Sequence, residues 1–200
     1  MHTQALEVLD FWFGPPDDPD HRHTRAAWFK KDPDFDAQIG RRFGPLIEQA
    51  LAAGDADQTQ DWITRPLQAL PALARLILLD QFTRNHFRGT ARAFAGDAQA
   101  LQIARALVAS GRDRDLTGVQ RQFAYLPFEH AEDLSHQRTA VQLFQQLGQD
   151  EPALAGLEDW ARRHHDVVQR FGRFPHRNAL LGRPSSDAEA AYLLQPGSGF

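Results

Sequence analysis

The sequence predicts an all-α fold that forms a single domain over residues 1–200. Apolar residues recur at intervals of three and four along most of the chain, which is the period of a helix with one buried face. No segment shows the sustained alternation of apolar and polar residues that a half-buried strand has. With 42% hydrophobic residues and no Gly/Ser-rich linker, the 200 residues suffice for one core. We therefore expect an antiparallel stack of about eight helices.

The N-terminal part of the chain predicts two main helices. The apolar spacing of residues 6–13 predicts a short helix that ends at Gly14, and residues 35–51 predict a longer helix that ends at Gly54. Pro45 lies inside the second helix. It is expected to kink or interrupt that helix, because proline lacks a backbone N–H and its ring clashes with the preceding turn.

A polar loop that contains Trp62, Pro66 and Pro71 separates these helices from the rest of the chain. The further predicted helices are Ala72–Phe87, Ala98–Ser110, Leu116–Leu126, a helix from Pro127 to about Leu147, residues 153–171, and Asp187–Leu194. Asp97 is expected to cap the helix Ala98–Ser110, and Pro127 is expected to lie in the first turn of the helix that runs to about Leu147. Gly172 has the position of a left-handed residue that ends a helix.

Composition and charge exclude several classes of protein. A nucleic-acid-binding domain usually has a basic face and a positive net charge, whereas this chain has a net charge of −4, so we expect no nucleic-acid partner. The absence of cysteine excludes disulfides, thiolate nucleophiles and sulfur-ligated zinc. The N-terminus lacks a signal peptide and no apolar run is long enough for a membrane span, so we expect a cytoplasmic location without membrane contact. The glycine-rich phosphate loop and the common catalytic motifs are missing, and we expect no cofactor.

The segment from Arg162 to Arg183 presents chemically demanding side chains where a helix ends. Pro175 disfavours helical geometry for Phe174, so the chain is expected to leave the helix there in an extended segment or a turn. The side chains that this segment delivers together are those of Arg173, His176, Arg177 and Asn178. Residues in such non-helical segments are often functional.

A second group of cations lies on the predicted helix Ala72–Phe87. Asp80, Arg84 and Arg88 follow one another at four-residue intervals, so Asp80 can pair with Arg84 while Arg88 is left without an acid of its own. Asn85 follows Arg84 as Asn178 follows Arg177. Unpaired guanidinium groups are suited to bidentate binding of a carboxylate or phosphate.

The same side chains have a structural interpretation. Arg84 and Arg88 can pair with Glu129 or Glu132 instead of a ligand, which would make both groups one network of ion pairs. Asn85 can satisfy backbone groups at a helix end. His164, in the middle of an apolar face, is expected to be a buried histidine with hydrogen-bond partners, and burial would lower its pKa.

Four potential metal ligands lie in the predicted helix that starts at Pro127. They would share one helix face, and three carboxylates with an imidazole suit a hard or borderline divalent metal. They are Glu129, Glu132, Asp133 and His136. A matching motif on a second helix is missing, and acidic residues are also favoured in the first turn of any helix.

Three long motifs resemble those of a known family, the bacterial domain of unknown function 924. They are DQFTRNHFRGTARAF at residues 80–94, YLPFEHAED at residues 125–133, and RFGRFPHRN at residues 170–178 followed by LGR at residues 181–183. The resemblance runs in order from the N-terminal LDFWFG to nearly the end of the chain. It implies an all-helical fold related to tetratricopeptide-like helix stacks, and a biochemical role that is unassigned.

These observations lead to one main hypothesis and two alternatives. In the main hypothesis, the three motifs converge on a cleft that binds a small anionic ligand or an acidic peptide end. The expected ligand-binding residues are Arg84, Asn85, Arg88, Arg173, His176, Arg177 and Asn178. The alternatives are a metal-dependent hydrolase that uses the Glu129 to His136 face, and a helix-stack scaffold for protein–protein interaction without catalysis.

Overall fold

The computed structural model describes residues 2–19, 21, 23–53 and 68–199. These residues form helices and no strand, which confirms the all-α fold class. The α-helices are α1 (Thr3–Phe13), α2 (Pro33–Ala52), α3 (Ala69–Leu76), α4 (Thr83–His86), α5 (Asp97–Ala109), α6 (Gly118–Glu129), α7 (Leu134–Asp150), α8 (Leu157–Phe171) and α9 (Asp187–Leu193). Short 3-10 turns lie at Ala26–Trp28, Ala91–Phe94, Arg112–Asp115, Pro152–Leu154 and Pro175–Arg177. A tetratricopeptide-like repeat stays a prediction.

Within the described ranges, no helix combines the length and the apolar character that crossing a membrane requires. The predicted helix end at Gly54 and the loop residues Trp62 and Pro66 lie outside the described residues. The prediction that Pro71 belongs to this loop is wrong, because Pro71 lies in the first turn of α3, where a proline has no backbone N–H to lose from the helix.

Aromatic side chains form the centre of the core. Trp12 of α1 lies against Trp28 and Phe82, with ring centroids 5.9 and 5.6 Å away, and the ring of Phe123 from α6 lies 4.8 Å from that of Trp28. The indole N–H of Trp28 donates to the carbonyl oxygen of Trp12 at 3.0 Å, so this buried polar group is satisfied. Each such side chain stabilises the fold by about 1.5–3 kcal/mol through burial. The core therefore joins α1, α6 and the segment around Phe82.

Helix α7 packs most extensively against α6 and α8. The predicted helix from Pro127 to Leu147 is wrong, because α6 continues through Pro127 to Glu129 and α7 starts only at Leu134. Asp133 is the reason for the later start, since its carboxylate caps α7 by accepting from the N–H groups of the second and third residues after it. Proline thus does not by itself end a helix in this chain: α2 also continues through Pro45, without the expected interruption.

The predicted helix Ala72–Phe87 contains an irregularity that the sequence does not reveal. Helix α3 is followed directly by a π-helical segment, Ile77–Phe82, and then by α4. A π turn holds more residues than an α turn, so it changes which side chains face inward. Asp80, a charged residue in this segment, is only 1% exposed.

Gly96 brings the start of α5 against this π-helical segment. A Cβ atom at Gly96 would lie 2.2 Å from the backbone oxygen of Leu79, so only glycine permits this approach. Asp97 follows as the first residue of α5. The prediction that Asp97 caps α5 is wrong, since the N-cap is Gly96 and the Asp97 carboxylate binds arginines instead. The close approach at Gly96 thus positions Asp97.

Gly96→Ala should destabilise the protein by about 1–3 kcal/mol, because the new methyl group must displace backbone atoms of the π-helical segment. Gly156→Ala is the matched control, since Gly156 is also an N-cap residue with negative φ and its Cβ would meet no atom within 4 Å. We expect this control to be neutral or stabilising by about 0.4–1 kcal/mol. Urea unfolding measures both changes, and equal effects of the two substitutions would contradict the steric account.

Candidate functional site

The three segments that the sequence singles out meet in one polar cluster. From the 80–94 segment, Asp80 accepts a hydrogen bond from His130 of the 125–133 segment at 2.7 Å. From the same segment 125–133, Glu132 accepts from the backbone N–H of Phe174 at 2.8 Å. Arg177, in the 170–183 segment, reaches Asp97 at the start of α5 at 3.1 Å. The elements α4, α5, α6 and the Pro175–Arg177 turn therefore share one site.

A chain of alternating charges runs through this cluster. Asp80 lies 3.1 Å from Arg84, Arg84 binds both carboxylate oxygens of Asp97 at 2.8 and 3.1 Å, and Asp97 also accepts from Arg177. Burial alone would raise the pKa of Asp80, but the positive charge of Arg84 and the bond from His130 bring that pKa below its usual range. Asp80 is thus ionised near neutral pH, and two carboxylates face two guanidinium groups in this chain.

Arg88 and Asn85 point away from this cluster and tie α4 to α2. The Nε and Nη2 atoms of Arg88 donate to the carboxylate of Asp36 at 2.6 and 2.9 Å, and the amide of Asn85 donates to the same carboxylate at 2.7 Å. The expectation that Arg88 lacks an acid is therefore wrong, because its partner comes from a distant part of the sequence. Their observed role is to hold two helices together.

Arg173 likewise binds a carboxylate of the protein itself. Its Nε and Nη2 atoms donate to the carboxylate of Glu189 at 2.6 and 2.8 Å, and Nη2 also donates to the backbone oxygen of Pro184. These bonds fasten α9 to the end of α8. An open depression of about 440 Å³ lies beside them, lined by Arg170, Phe171, Arg173, Ser186, Ala188 and Glu189.

Asn178 positions another arginine. Its side-chain oxygen accepts from Arg183 at 3.0 Å, and its amide nitrogen donates to Ser185. Arg183 in turn donates two hydrogen bonds to Glu132 at 2.6 and 2.9 Å. Burial would raise the pKa of Glu132, but the bonds from Arg183 and from the backbone lower it. Asn178 thus acts on the site indirectly, by positioning the arginine that binds Glu132.

Arg177 differs from the other arginines of the expected site. It is only 6% exposed, and its guanidinium lies over the rings of Phe94 and Phe174, at 4.7 and 4.6 Å from their centroids. Burial and the positive charge of Arg84 lower its pKa to about 10, so it stays protonated near neutral pH. Its single hydrogen bond, from Nη1, goes to Asp97, while its buried Nε meets no acceptor in the described part of the chain.

Two histidines, His164 and His176, lie close enough to Arg177 for its charge to affect their pKa values. Burial and the charge of Arg177 lower the pKa of His176 to about 4, and burial lowers the pKa of His164 to about 3. His164 is 6% exposed, which confirms the expected buried histidine. Its Nδ1 lies 2.9 Å from the carbonyl oxygen of Trp160, and because a carbonyl only accepts, Nδ1 carries the hydrogen. Both imidazoles are neutral near neutral pH.

The four potential metal ligands are not brought together. The helix on which they were expected to share a face is interrupted between α6 and α7. Glu129 is buried beside His164, Glu132 binds Arg183, and Asp133 caps α7. Among the residues that the structure describes, no group of three or more histidine, aspartate and glutamate side chains has an arrangement that could hold a metal ion.

Sequence patterns alone do not single out His130 or Asp97. His130 contacts Asp80, which is fifty positions away in the sequence. For Asp97, local sequence predicts only a capping role. The available signal was the position of His130 inside the 125–133 motif, directly after Glu129. Periodicity could not have indicated it, because His130 follows the last residue of α6.

Glu129 is the most perturbed acid of the cluster. It is 4% exposed, and its Oε1 lies 3.0 Å from Nδ1 of His164. Burial and the negative charge of Asp80 raise its pKa to about 8. Since His164 is neutral, no cation offsets the cost of ionising Glu129, and the carboxyl is protonated near neutral pH.

Glu129→Gln should therefore make the free energy of unfolding less dependent on pH. The contribution of Glu129 to stability is complete below about pH 4.5 and is lost as the pH rises towards 8, because only the unfolded chain ionises in that window. Between these two pH values, the free energy of unfolding of the wild type should fall by up to about 1.4 kcal/mol per pH unit relative to that of the variant. Urea unfolding at several pH values measures the difference.

Glu132→Gln is the control of opposite sign. The lowered pKa of Glu132 means that its contribution is present above the ordinary glutamate pKa and is lost as the pH falls. This variant should thus be less stable than the wild type at neutral pH. Parallel stability curves for the wild type and Glu129→Gln would show that Glu129 is ionised in the folded protein.

Comparisons with known proteins agree with this fold. Residues 8–197 match a family model described as a bacterial protein of unknown function, DUF924. The chain is also similar to a solved structure, that of the protein of unknown function ATU0120 from Agrobacterium tumefaciens. The two are 38% identical with a TM-score of 0.78, and the match covers 95% of this chain and 96% of the other. A comparison with curated proteins finds no match.

Proposed function

The chain belongs to the bacterial DUF924 family, and we propose that it binds a small anionic ligand, or the acidic end of a peptide, with Arg177 as the anchoring cation. The observation that carries the proposal is the unused hydrogen-bonding capacity of this buried guanidinium. A buried N–H without an acceptor costs about 1–3 kcal/mol, so such groups are rare in folded proteins unless something else binds them.

The other arginines indicate what Arg177 lacks. In Arg88 and Arg173, the edge formed by Nε and Nη2 binds both oxygens of one carboxylate, from Asp36 and Glu189 respectively. In Arg177 the same edge makes no hydrogen bond to the residues that the structure describes. A ligand carboxylate or phosphate has the geometry to occupy it in the same bidentate way.

Neighbouring groups favour an anion of limited size. The guanidinium packs on the rings of Phe94 and Phe174, and these contacts restrict its orientation before a ligand arrives. His176 precedes Arg177 and is half-buried, so its imidazole can contribute a further hydrogen bond. Because Asp97 already balances part of the charge of Arg177, an incoming anion competes with this aspartate.

Arg177→Gln should weaken anion binding by at least about tenfold, since hydrogen bonds to charged groups contribute about 1.5–3 kcal/mol. Isothermal titration calorimetry with sulfate, a small dianion, and with N-acetylglycine, a mimic of a peptide end, measures this loss. Preference for one of the two probes distinguishes a small inorganic anion from a peptide carboxylate.

Arg88→Gln is the matched control, because it removes an equally charged side chain whose Nε and Nη2 edge is already occupied. It should change the affinity by less than about twofold. Asp97→Asn, which removes the competing charge but keeps an oxygen acceptor, should increase the affinity. Equal affinities of the wild type and Arg177→Gln, in variants shown to be folded by circular dichroism, would refute the proposal.

A further inference from the structure

We propose that His130 is a proton acceptor in the anion site, and that the anion held at Arg177 is a substrate from which His130 removes a proton. This inference rests on the proposed function, since Arg177 must first hold the anion. It adds a reaction to what is otherwise a binding site.

The bond between His130 and Asp80 prepares the imidazole for this role. Nδ1 of His130 lies 2.7 Å from Oδ1 of Asp80, whose side chain is 1% exposed and also accepts from Gln81. Because the ionised carboxylate only accepts, Nδ1 of the neutral imidazole carries the hydrogen and Nε2 keeps its lone pair. A buried carboxylate that fixes the tautomer of a histidine in this way is the arrangement found in catalytic triads.

The second nitrogen of His130 is available. Nε2 makes no hydrogen bond to the described residues, and the side chain is 15% exposed, so part of the imidazole is in contact with solvent. Burial and the charge of Arg84 lower the pKa of His130, which keeps the imidazole neutral and able to accept a proton. Asp80 is thus a positioning residue and His130 the acceptor.

Two routes of contact connect His130 to Arg177. The ring of His130 lies 6.3 Å from that of His164, the ring of His164 lies 5.6 Å from that of Phe174, and Phe174 stacks on Arg177. Through charges, Asp80 contacts Arg84, and Asp97 joins Arg84 to Arg177. An anion at Arg177 therefore lies in the same cluster as the imidazole.

The proton transfer is balanced without any further reactant. A C–H or O–H bond of the bound anion breaks, the proton moves to Nε2 of His130, and the electron pair of that bond stays on the substrate. Asp80 stabilises the resulting imidazolium, and Arg177 stabilises the added negative charge. Return of the proton to another atom of the same molecule gives an isomer. The substrate class is therefore a small carboxylate or phosphate with an acidic proton.

His165 is a control within the same chain. Its Nδ1 lies 3.2 Å from Asp166, so it also pairs with an aspartate, and its side chain is 21% exposed. However, Asp166 is 77% exposed, and water competes for its carboxylate. The two histidines thus have similar access to solvent but differ in the burial of the aspartate.

Acylation by diethyl pyrocarbonate, which attacks the lone pair of neutral imidazoles, tests the inference on the intact protein. Mass spectrometry of peptides should show His130 reacting at least about tenfold faster than His165, because Asp80 fixes the reactive tautomer. Asp80→Asn should slow His130 by at least about tenfold. Asp166→Asn should leave His165 within about twofold, as for an exposed pair.

Saturating sulfate should protect His130 in the wild type and should not protect it in Arg177→Gln. This comparison needs no substitution at Asp80, so it remains valid if that variant fails to fold. Acylation of His130 no faster than that of His165 overturns the inference. Rapid acylation that bound sulfate does not slow overturns it as well, and leaves the proposed binding function standing. Failure of both sulfate and N-acetylglycine to bind instead refutes the binding function.

Discussion

Neutralising the buried carboxylate of Asp80 is the constraint on which this structure depends. An ionised group removed from water costs several kcal/mol unless cations and hydrogen bonds replace the solvent. Arg84 and His130 supply these, and Arg84 in turn requires Asp97, which is shared with Arg177. Because the partners come from α4, α5, the end of α6 and the Pro175–Arg177 turn, satisfying one charge fixes how these elements are arranged.

The sequence predicts the helices well where local chemistry decides them. Gly14, Gly111 and Gly172 have positive φ at helix ends, and Ser186 and Glu189 form a capping box at the start of α9. It fails where distant contacts decide: the helix through Pro127, the π-helical segment around Asp80, and the carboxylate of Asp97, which binds arginines instead of capping α5. Local preferences describe a helix, whereas tertiary contacts select the partner of a charge.

The candidate site was predicted in part for the same reason. The convergence of the three motifs follows from their unusual density of arginine, histidine and acid, but the pairing of each arginine does not. Arg88 and Arg173 find carboxylates on elements far away in sequence and become structural. The expected surplus of positive charge is absent where Arg84 and Arg177 lie, because the two arginines pair with two aspartates, Asp80 and Asp97. Among the arginines of the expected site, Arg177 alone has a buried donor, Nε, that meets no acceptor in the described part of the chain.

This distinction separates a structural network from a binding site. A network that only holds helices together satisfies its donors, as Arg173 and Arg183 do with Glu189 and Glu132. A site that awaits a ligand keeps oriented donors and neutral imidazoles in partly buried surroundings. Arg177, packed on two rings and next to His176 in the sequence, fits the second description.

The most direct measurement is a correlation spectrum of the arginine Nε–Hε groups during a titration with sulfate. The account predicts that the Arg177 resonance shifts and saturates, that Arg84 follows with a smaller shift through Asp97, and that Arg88 and Arg173 stay in place. An Arg177 resonance that remains still while the others move, or a uniform drift of all four without saturation, would contradict it.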